Sequence, residues 1–231
     1  MNDIMRKIHL SIILFLFSSV LLPGIEVTRL PGDTIDVQKL YNGRAWKNVY
    51  YKIRGDQFLF TTDFIPGSVT IDNKEFRNIR LKYDIYNDEL ISLNDHGIML
   101  QLNKEMTDKF TLRYGDQTYL FKRIDSDSTG SMKGFVNILY DGKSGLYVKY
   151  MKEILLLAVD NKYDMFNQLI RVYFVKDGSA SRINSRREML ALMKDHKSEV
   201  IQFMRSNKIR LSKKVPSSFR PVVEYYDKVS Q

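Results

Sequence analysis

Apolar and polar side chains alternate with a period of two along most of the chain between Tyr41 and Ile183. Short turn signals interrupt the alternation, with Asn-Asp at 87–88, Gly-Asp at 115–116 and Asp-Gly at 141–142 and 177–178. Gly, Asn and Asp favour the tight turns of β-hairpins, because these turns need backbone with positive φ. The pattern therefore predicts four successive hairpins in an antiparallel meander with one buried face, which forms a curved sheet or a partial barrel.

Three stretches of this region are less regular. Residues Val49 to Thr61 are predicted to form one more hairpin, with Arg54-Gly55-Asp56 at its tip. The stretch Met151–Val159 fits either a buried strand or a short helix, since a short apolar run has no distinctive period. Asn161–Gln168 is predicted to be a loop.

The hydrophobic period changes in the last fifty residues. Ser185 and Glu188 have the spacing of a capping box, which marks a helix N-terminus. Apolar side chains then recur every three or four positions up to about Asn207, with His196 within or beside the stripe, so one amphipathic helix is predicted. Residues 208–214, KIRLSKK, form a basic connector. Ser217 is expected to cap a second helix that has Pro221 in its first turn.

These patterns together predict an α+β fold. An antiparallel β domain is expected over residues 25–183, and a helical C-terminal segment over residues 184–231 is expected to pack on the sheet. No Pro/Gly/Ser-rich linker separates the two parts.

The N-terminus, residues 1–24, has the layout of a cleavable signal peptide. Arg6, Lys7 and His9 form a basic start, an apolar run extends from Leu10 to Leu22, and Pro23-Gly24 follows. The run is shorter than the roughly 20 apolar residues that span a bilayer. Because no A-x-A cleavage pattern is present, an uncleaved N-terminal anchor is the alternative. The segment therefore predicts that the protein is exported.

The cysteine content restricts the chemistry of an exported product. The chain has 0 cysteines, which excludes disulfides, thiolate zinc sites, a cysteine nucleophile and an acylated N-terminal cysteine. Any attachment to a membrane is therefore expected to be non-covalent or through the signal segment.

The net charge of +9 is concentrated at the C-terminus. Residues 182–231 hold twelve Lys or Arg against five Asp or Glu, whereas the preceding residues are nearly balanced. A basic protein often binds nucleic acid, but export makes that partner unexpected. Contact with an anionic membrane surface through the basic C-terminal segment is one expectation, and a solvated helical surface is the other.

Several segments resemble a group of exported, largely uncharacterised envelope proteins of Bacteroidota-type bacteria. The resemblance lies in LYDGKSGLYVKYMKE, in IRVYFVKDG and in the C-terminal LALMKDHKSEVIQFMRSNKIRLSKK. It extends to YNGRAWKNVYYKIRGDQFLF near the N-terminus. It implies a periplasmic or outer-membrane-associated protein, and it carries over no catalytic residues.

One acidic segment, Asp125–Gly130, has the spacing of a metal or phosphoryl site. As a calcium loop it offers oxygens at its first, third and fifth positions, but Val136 stands where a bidentate Glu is needed. As the start of a haloacid-dehalogenase-type phosphatase, Asp125 would be the nucleophile and Asp127 the general acid. That fold needs alternating helices, which the hairpin pattern does not provide. A polar loop between strands is the favoured interpretation.

The other candidate residues also have structural interpretations. His96 and His196 are the two histidines outside the signal segment, and they are expected to be surface or structural groups. Asp84, Asp88, Glu89 and Asp95 cluster near a hairpin turn, where Asp is favoured for backbone reasons. Trp46 is expected to anchor the core rather than to stack on a sugar.

No catalytic, cofactor-binding or metal-binding residue is assigned from the sequence, and no cofactor is expected. The first hypothesis is a non-enzymatic envelope protein that binds a protein, lipid or glycan. The alternatives are a lipid carrier of the periplasm, if the sheet encloses a cavity, and a hydrolase of envelope polymers.

Overall fold

The computed structural model describes residues 37–125 and 131–230 and contains one antiparallel sheet followed by helices. The sheet has 11 strands in the order β1-β5-β4-β3-β2-β6-β7-β8-β9-β10-β11, with β1 and β11 at its open edges. The strands are β1 Arg44–Ala45, β2 Ile65–Ile71, β3 Lys74–Asp84, β4 Glu89–Leu93, β5 Met99–Gln101, β6 Thr107–Tyr114, β7 Gln117–Ile124, β8 Gly134–Asp141, β9 Gly145–Val159, β10 Tyr163–Lys176 and β11 Ser179–Ile183.

Short helices flank the sheet. A single turn, α1 (Val37–Leu40), precedes it, and α2 (Arg186–Leu192), α3 (Lys197–Ser206) and α4 (Arg220–Val229) follow it. Two 3₁₀ turns, Lys194–His196 and Pro216–Phe219, join the last three helices. The prediction of a curved antiparallel sheet followed by C-terminal helices is therefore confirmed.

The sheet is so strongly curved that β3 approaches β9 and β10, although four strands separate β3 from β9 in the sheet order. The Lys152 amide donates to the Ile85 carbonyl at 3.2 Å, which joins β9 to the turn after β3. Residues 54–59 complete this junction with backbone hydrogen bonds. They bond to Tyr83 and Ile85 on one side and to Asp164 and Phe166 on the other.

The junction shows that the predicted hairpin over Val49–Thr61 was wrong. The amide of Arg54 donates to the Asp164 carbonyl at 2.9 Å, and the amide of Leu59 donates to the Tyr83 carbonyl at 2.9 Å. The backbone groups that a hairpin would pair with each other are thus used to join two parts of the sheet. A local turn signal does not reveal such long-range partners.

The other irregular stretches are strands. Met151–Val159 belongs to β9, which removes the ambiguity between strand and helix. The predicted loop Asn161–Gln168 was wrong, because β10 begins at Tyr163 and pairs with β9. Cross-strand pairing supports this polar part of β10, since the Asn167 side chain donates to Glu153 Oε1 at 2.9 Å. The four predicted hairpins are all present.

The buried face of the sheet holds an aromatic core. The rings of Phe110 and Phe121 stack at 4.7 Å between centroids with an interplanar angle of 9°. The rings of Tyr83 and Phe135 pack edge-on against Phe110 at 5.2 and 5.0 Å. Such offset and edge-on contacts add to the stabilisation from burial.

The helices cover the same face of the sheet nearer the start of β9. Leu146, Val148 and Tyr150 alternate along β9 and therefore point to one face. Leu146 belongs to the apolar cluster of the helices, and the other two belong to the aromatic core. The apolar face of β9 is thus shared between the two clusters.

The first predicted helix is interrupted. Ser185 caps α2 by accepting from the Glu188 amide at 3.2 Å, as predicted, and Glu188 accepts from the Asn184 amide at 2.8 Å. The helix α2 ends at Leu192, and a 3₁₀ turn after Met193 separates it from α3. Ser217 does not cap α4, because a 3₁₀ turn that begins at Pro216 leads into it.

Replacing Phe121 by Ala should lower the free energy of unfolding by about 3–5 kcal/mol, since the change leaves a cavity in the stacked core. Leu120→Ala is the matched control, because Leu120 is the neighbouring residue and is 39% exposed, whereas Phe121 is 1% exposed. Urea unfolding of both variants measures the difference. Equal losses of stability would contradict the assignment of the buried face.

Candidate functional site

A polar pocket of about 260 Å³ lies between the ends of two hairpins and the C-terminal helices. The β8–β9 and β10–β11 turns supply one wall, and the first 3₁₀ turn and the end of α4 supply the other. The lining residues are Lys143, Ser144, Lys176, Asp177, Asp195, His196, Tyr226 and Ser230.

Three of these side chains form a closed hydrogen-bonded network. The Tyr226 hydroxyl donates to Asp195 Oδ2 at 2.7 Å, and Lys176 Nζ donates to the same carboxylate oxygen at 2.9 Å and to the Tyr226 oxygen. The bond from Lys176 is the main cause that lowers the pKa of Asp195 to about 2. The bonds to Tyr226 and Asp195 raise the pKa of Lys176 above its ordinary value.

Lys176 acts as a cation within this network. An ammonium group with a raised pKa stays protonated at neutral pH, so Lys176 donates hydrogen bonds to Asp195 and Tyr226. The Tyr226 proton is directed at Asp195, whose low pKa makes it a weak base. The network joins the end of β10 to α4, and its charged groups face the pocket, where a polar ligand or water contacts them.

A buried carboxylate lies beside the pocket. Asp227 is 4% exposed, and its Oδ2 accepts from the Ser144 amide at 2.8 Å. Lys143 Nζ donates to the Ser230 carbonyl at 2.5 Å, which caps the end of α4. A Cβ on Gly142 would overlap the Tyr140 hydroxyl and lie 2.8 Å from Asp227 Oδ2, so a larger residue here would displace these side chains.

A second cluster of charges surrounds Asp88, between the turn after β3 and the start of β8. Asp88 Oδ2 accepts from Lys104 Nζ at 2.8 Å and from Lys149 Nζ at 3.0 Å, and Oδ1 accepts from the Tyr83 hydroxyl at 2.5 Å. Burial alone would raise the pKa of Asp88, but the two ammonium groups and the phenol lower it.

Lys149 is the most buried cation of this cluster. Burial lowers its pKa, and the neighbouring Asp88 carboxylate opposes that effect. Its ammonium group also donates to the Lys133 carbonyl at 2.9 Å. Two cations, one carboxylate and one phenol therefore satisfy one another, which is the arrangement of a structural ion cluster.

The basic connector, residues 208–214, carries charges of a different kind. Within the described part of the chain, none of its four cations lies within 4.0 Å of a carboxylate, and all four are exposed: Lys208, Arg210, Lys213 and Lys214. The sequence contains no Asp or Glu between Glu199 and Glu224.

The connector is held in place at both ends. The Ile209 amide donates to the Met204 carbonyl at 2.9 Å, and the Ser212 amide donates to Ser218 Oγ at 2.9 Å. The rings of Phe203 on α3 and Tyr225 on α4 stack at 4.1 Å with an interplanar angle of 2°. The four cations are therefore presented from a fixed loop between two packed helices.

The structure places the acidic motif only in part. Asp125 pairs with the Arg123 guanidinium, and the rest of the motif, residues 126–130, lies outside the described residues. Among the residues that are described, no group of three or more His, Cys, Asp or Glu side chains could hold a metal ion. The predicted signal segment, residues 1–24, also lies outside the described residues.

The two histidines do not share a site. His96 is exposed in the turn between β4 and β5, where its amide donates to Asn94 Oδ1 at 3.0 Å. His196 lines the polar pocket, and its Nδ1 lies 2.9 Å from Glu199 Oε2.

The clustered carboxylates separate into different roles. Asp84 is fully buried and accepts hydrogen bonds from the amides of Tyr86 and Asn87 at 2.9 Å, which builds the turn. Burial raises the pKa of Asp84. Asp88 belongs to the ion cluster, and Asp95 is exposed.

Trp46 and the Arg54-Gly55-Asp56 tripeptide lie in the loop before β2. Trp46 is half-buried, and its ring centroid is 5.8 Å from that of Phe58. Arg54 bonds to the start of β10, and Asp56 pairs with Lys152 at 3.0 Å. The tripeptide therefore belongs to the junction that holds the sheet in its curve.

Sequence reasoning missed the polar pocket and the Asp88 cluster. The pocket combines residues more than 80 positions apart, and Lys149 reaches Asp88 across 61 positions. No spacing in the sequence indicates such contacts.

Of the helices in the described residues, none combines the length and apolar character needed to cross a bilayer. Comparison of the chain with protein-family models, with curated proteins and with solved structures finds no match.

Replacing Gly134 by Ala should lower the free energy of unfolding by several kcal/mol, about 3 or more. Gly134 has φ +96°, and a Cβ there would overlap Asp88 Oδ2 and lie 2.7 Å from Lys149 Nζ. Gly115→Ala is the matched control, because Gly115 also has positive φ but nothing lies within 4 Å of its Cβ position. The control should lose only about 1 kcal/mol. Equal losses in urea unfolding would show that the ion cluster tolerates the methyl group.

The pairing of Asp195 predicts a dependence of stability on pH. Its folded pKa of about 2 lies below the ordinary 3.8, so its stabilising contribution is complete above 3.8 and is lost as the pH falls through about 2. Lys176→Met should raise the pKa of Asp195 towards 3.8, and Tyr226→Phe should raise it less. Carbon-detected NMR titration of the carboxyl group measures each value. An unchanged pKa in Lys176→Met would contradict the assigned cause.

Proposed function

We propose that this protein is an exported, non-enzymatic binding protein of a bacterial cell envelope, and that its basic connector holds it to an anionic membrane surface. The observation that carries the proposal is the set of four exposed cations without a carboxylate partner in the described residues. Each cation near an anionic bilayer contributes about 1 kcal/mol to the free energy of binding, whereas a cation already paired with a carboxylate contributes little.

The contrast with three buried or half-buried lysines supports this choice of surface. Lys149 and Lys104 are paired with Asp88, and Lys176 is paired with Asp195. The connector has four cations and no carboxylate in its seven residues, so its positive charge is available to a partner. Lipid phosphates are the anions that an envelope protein meets at high surface density.

The aromatic core supports a binding role over lipid carriage. The Phe110 ring contacts those of Phe121 and Phe135 on the buried face, with ring centroids 4.7 and 5.0 Å apart. The volume that an acyl chain would need on this face is filled by these rings.

Reversing the four connector charges should weaken binding to vesicles that contain an anionic phospholipid by at least about 100-fold, given roughly 1 kcal/mol for each lost cation. The matched control reverses four exposed cations of the sheet and so produces the same net charge: Lys74, Arg80, Lys109 and Lys122. Co-sedimentation of the purified proteins with vesicles measures the difference.

Ionic strength provides a second measurement on the same samples. Binding through the connector should fall as the salt concentration rises from 0.1 M to 1 M, since the screening length shrinks from about 10 Å to about 3 Å. Equal binding to anionic and neutral vesicles, or equal binding by the connector variant and the control variant, would refute the proposal.

A further inference from the structure

The β9–β10 hairpin carries an apolar bulge near its tip. Tyr163 pairs with Val159 and Met165 pairs with Leu155, so residues 156–158 of β9 lie opposite the single residue Asp164 of β10. The Asp164 side chain occupies the place of a backbone partner, because its Oδ1 accepts from the Leu157 amide at 3.0 Å. The two extra residues are therefore pushed out of the ladder by a specific contact.

Leucine side chains cover this bulge and are exposed. Leu155, Leu156 and Leu157 are 38%, 75% and 56% exposed, and Ala158 is also exposed. Leu157 has φ 50°, a left-handed conformation that is rare for a leucine. Adjacent exposed leucines on a strained backbone are unfavourable in water, and such a patch marks a contact surface.

Cations and tyrosines lie beside the bulge. The loop that ends at Arg54 runs along the other side of β10, where Arg54 bonds to the backbone at Asp164 and Phe166. The Arg54 guanidinium lies 4.5 Å from the centre of the Tyr163 ring, and Lys162 Nζ lies 5.2 Å from it. Tyr51 and Lys52 of this loop are exposed.

This composition favours a lipid bilayer over other partners. Apolar side chains that enter the outer acyl region, with tyrosines and cations at the level of the head groups, are typical of interfacial membrane anchors. Lys52, Arg54 and Lys162 have no carboxylate within 4.0 Å among the described residues, so their charge complements anionic head groups. The Leu157 amide is already satisfied by Asp164 and does not lose a water partner on insertion.

We propose that the bulge at residues 155–158 inserts into the interfacial region of an anionic bilayer. The inference deepens the proposed function and rests on it, because it names the bilayer, and not a soluble polyanion, as the surface that the protein binds. The polar turn at Asp160 and Asn161 remains at head-group level, since insertion of this kind reaches only about 5–10 Å.

The bulge and the basic connector are separate contacts. The Ser144 amide, just before β9, donates to Asp227 of α4, whereas Leu156 lies eleven residues after Gly145, the first residue of β9. A substitution in one contact therefore leaves the other unchanged.

The absence of cysteine from the sequence permits a direct test. Leu156→Cys in the full chain is labelled with an environment-sensitive fluorophore, and Leu120→Cys, on the exposed side of β7, is the labelled control. On addition of vesicles containing anionic phospholipid, the emission at position 156 should shift to the blue and be quenched by lipid-attached quenchers. The emission at position 120 should not change.

Position 156 can give two results that would overturn the inference. Unchanged emission in samples whose vesicles sediment with the protein would leave the basic connector as the membrane contact and exclude insertion. A blue shift without vesicles that grows with protein concentration would show that a second copy covers the bulge.

A second variant separates this inference from the proposed function. Leu156→Lys should retain binding to anionic vesicles at low salt through the connector. At 1 M salt its binding should be at least tenfold weaker than that of the unsubstituted protein. The charge-reversed connector variant should lose binding to vesicles at low salt and should retain the binding that remains at 1 M salt. Salt-resistant binding of Leu156→Lys equal to that of the unsubstituted protein would overturn the inference.

Discussion

The packing of one long strand, β9, is the constraint on which the rest of the structure depends. Its apolar face meets the C-terminal helices at Leu146 and the aromatic core at Val148 and Tyr150. Because side chains of one face recur at every second residue, a shift of one position would turn this whole series away from both apolar clusters. The register of β9 therefore positions the helices, and with them the basic connector, relative to the sheet.

The curvature of the sheet depends on a second set of contacts that β9 shares. Lys152 bonds to Ile85 through its amide and to Asp56 through its ammonium group. These bonds bring β9 against the turn after β3. Asp88 of this turn accepts hydrogen bonds from the ammonium groups of Lys149 and Lys104. Buried charges in this region stabilise the fold only as a complete set, since an unpaired member would keep its desolvation cost.

Features that depend on contacts between residues close in sequence were predicted correctly, whereas features that depend on contacts between distant residues were not. The four hairpins and the start of α2 were predictable because turn residues and the Ser185–Glu188 pair act over a few positions. The hairpin predicted around Arg54 was wrong because its backbone partners are on distant strands. The same limit explains β10, whose first half contains Asp164, Asn167 and Gln168 and was not recognised as a strand because its partner β9 is not evident from local sequence.

The candidate sites were predictable to different degrees for the same reason. The four cations of the basic connector lie within seven residues of the sequence, so their concentration was visible from the sequence alone. Their lack of carboxylate partners was not visible, because Lys104 and Lys149 are equally cationic in the sequence and are paired with Asp88 in the fold. The exposure of Leu155–Leu157 was also hidden, since three adjacent leucines ordinarily indicate a buried strand.

The two ends of the β9–β10 hairpin therefore differ in character. Charged groups are fixed against the helices at the open end, and apolar side chains are exposed near the tip. At the start of β9, the carboxylate of Asp227 and the network of Lys176 fix charged groups against the helices. Near the tip, Leu156 and Leu157 are exposed, and Asp164 holds the leucines outside the ladder. A bulge that served only to end the pairing would gain nothing from leucine, because polar residues would fill the same positions at less cost in water. The side chains at these positions are thus better explained by an apolar environment outside the protein than by the fold itself.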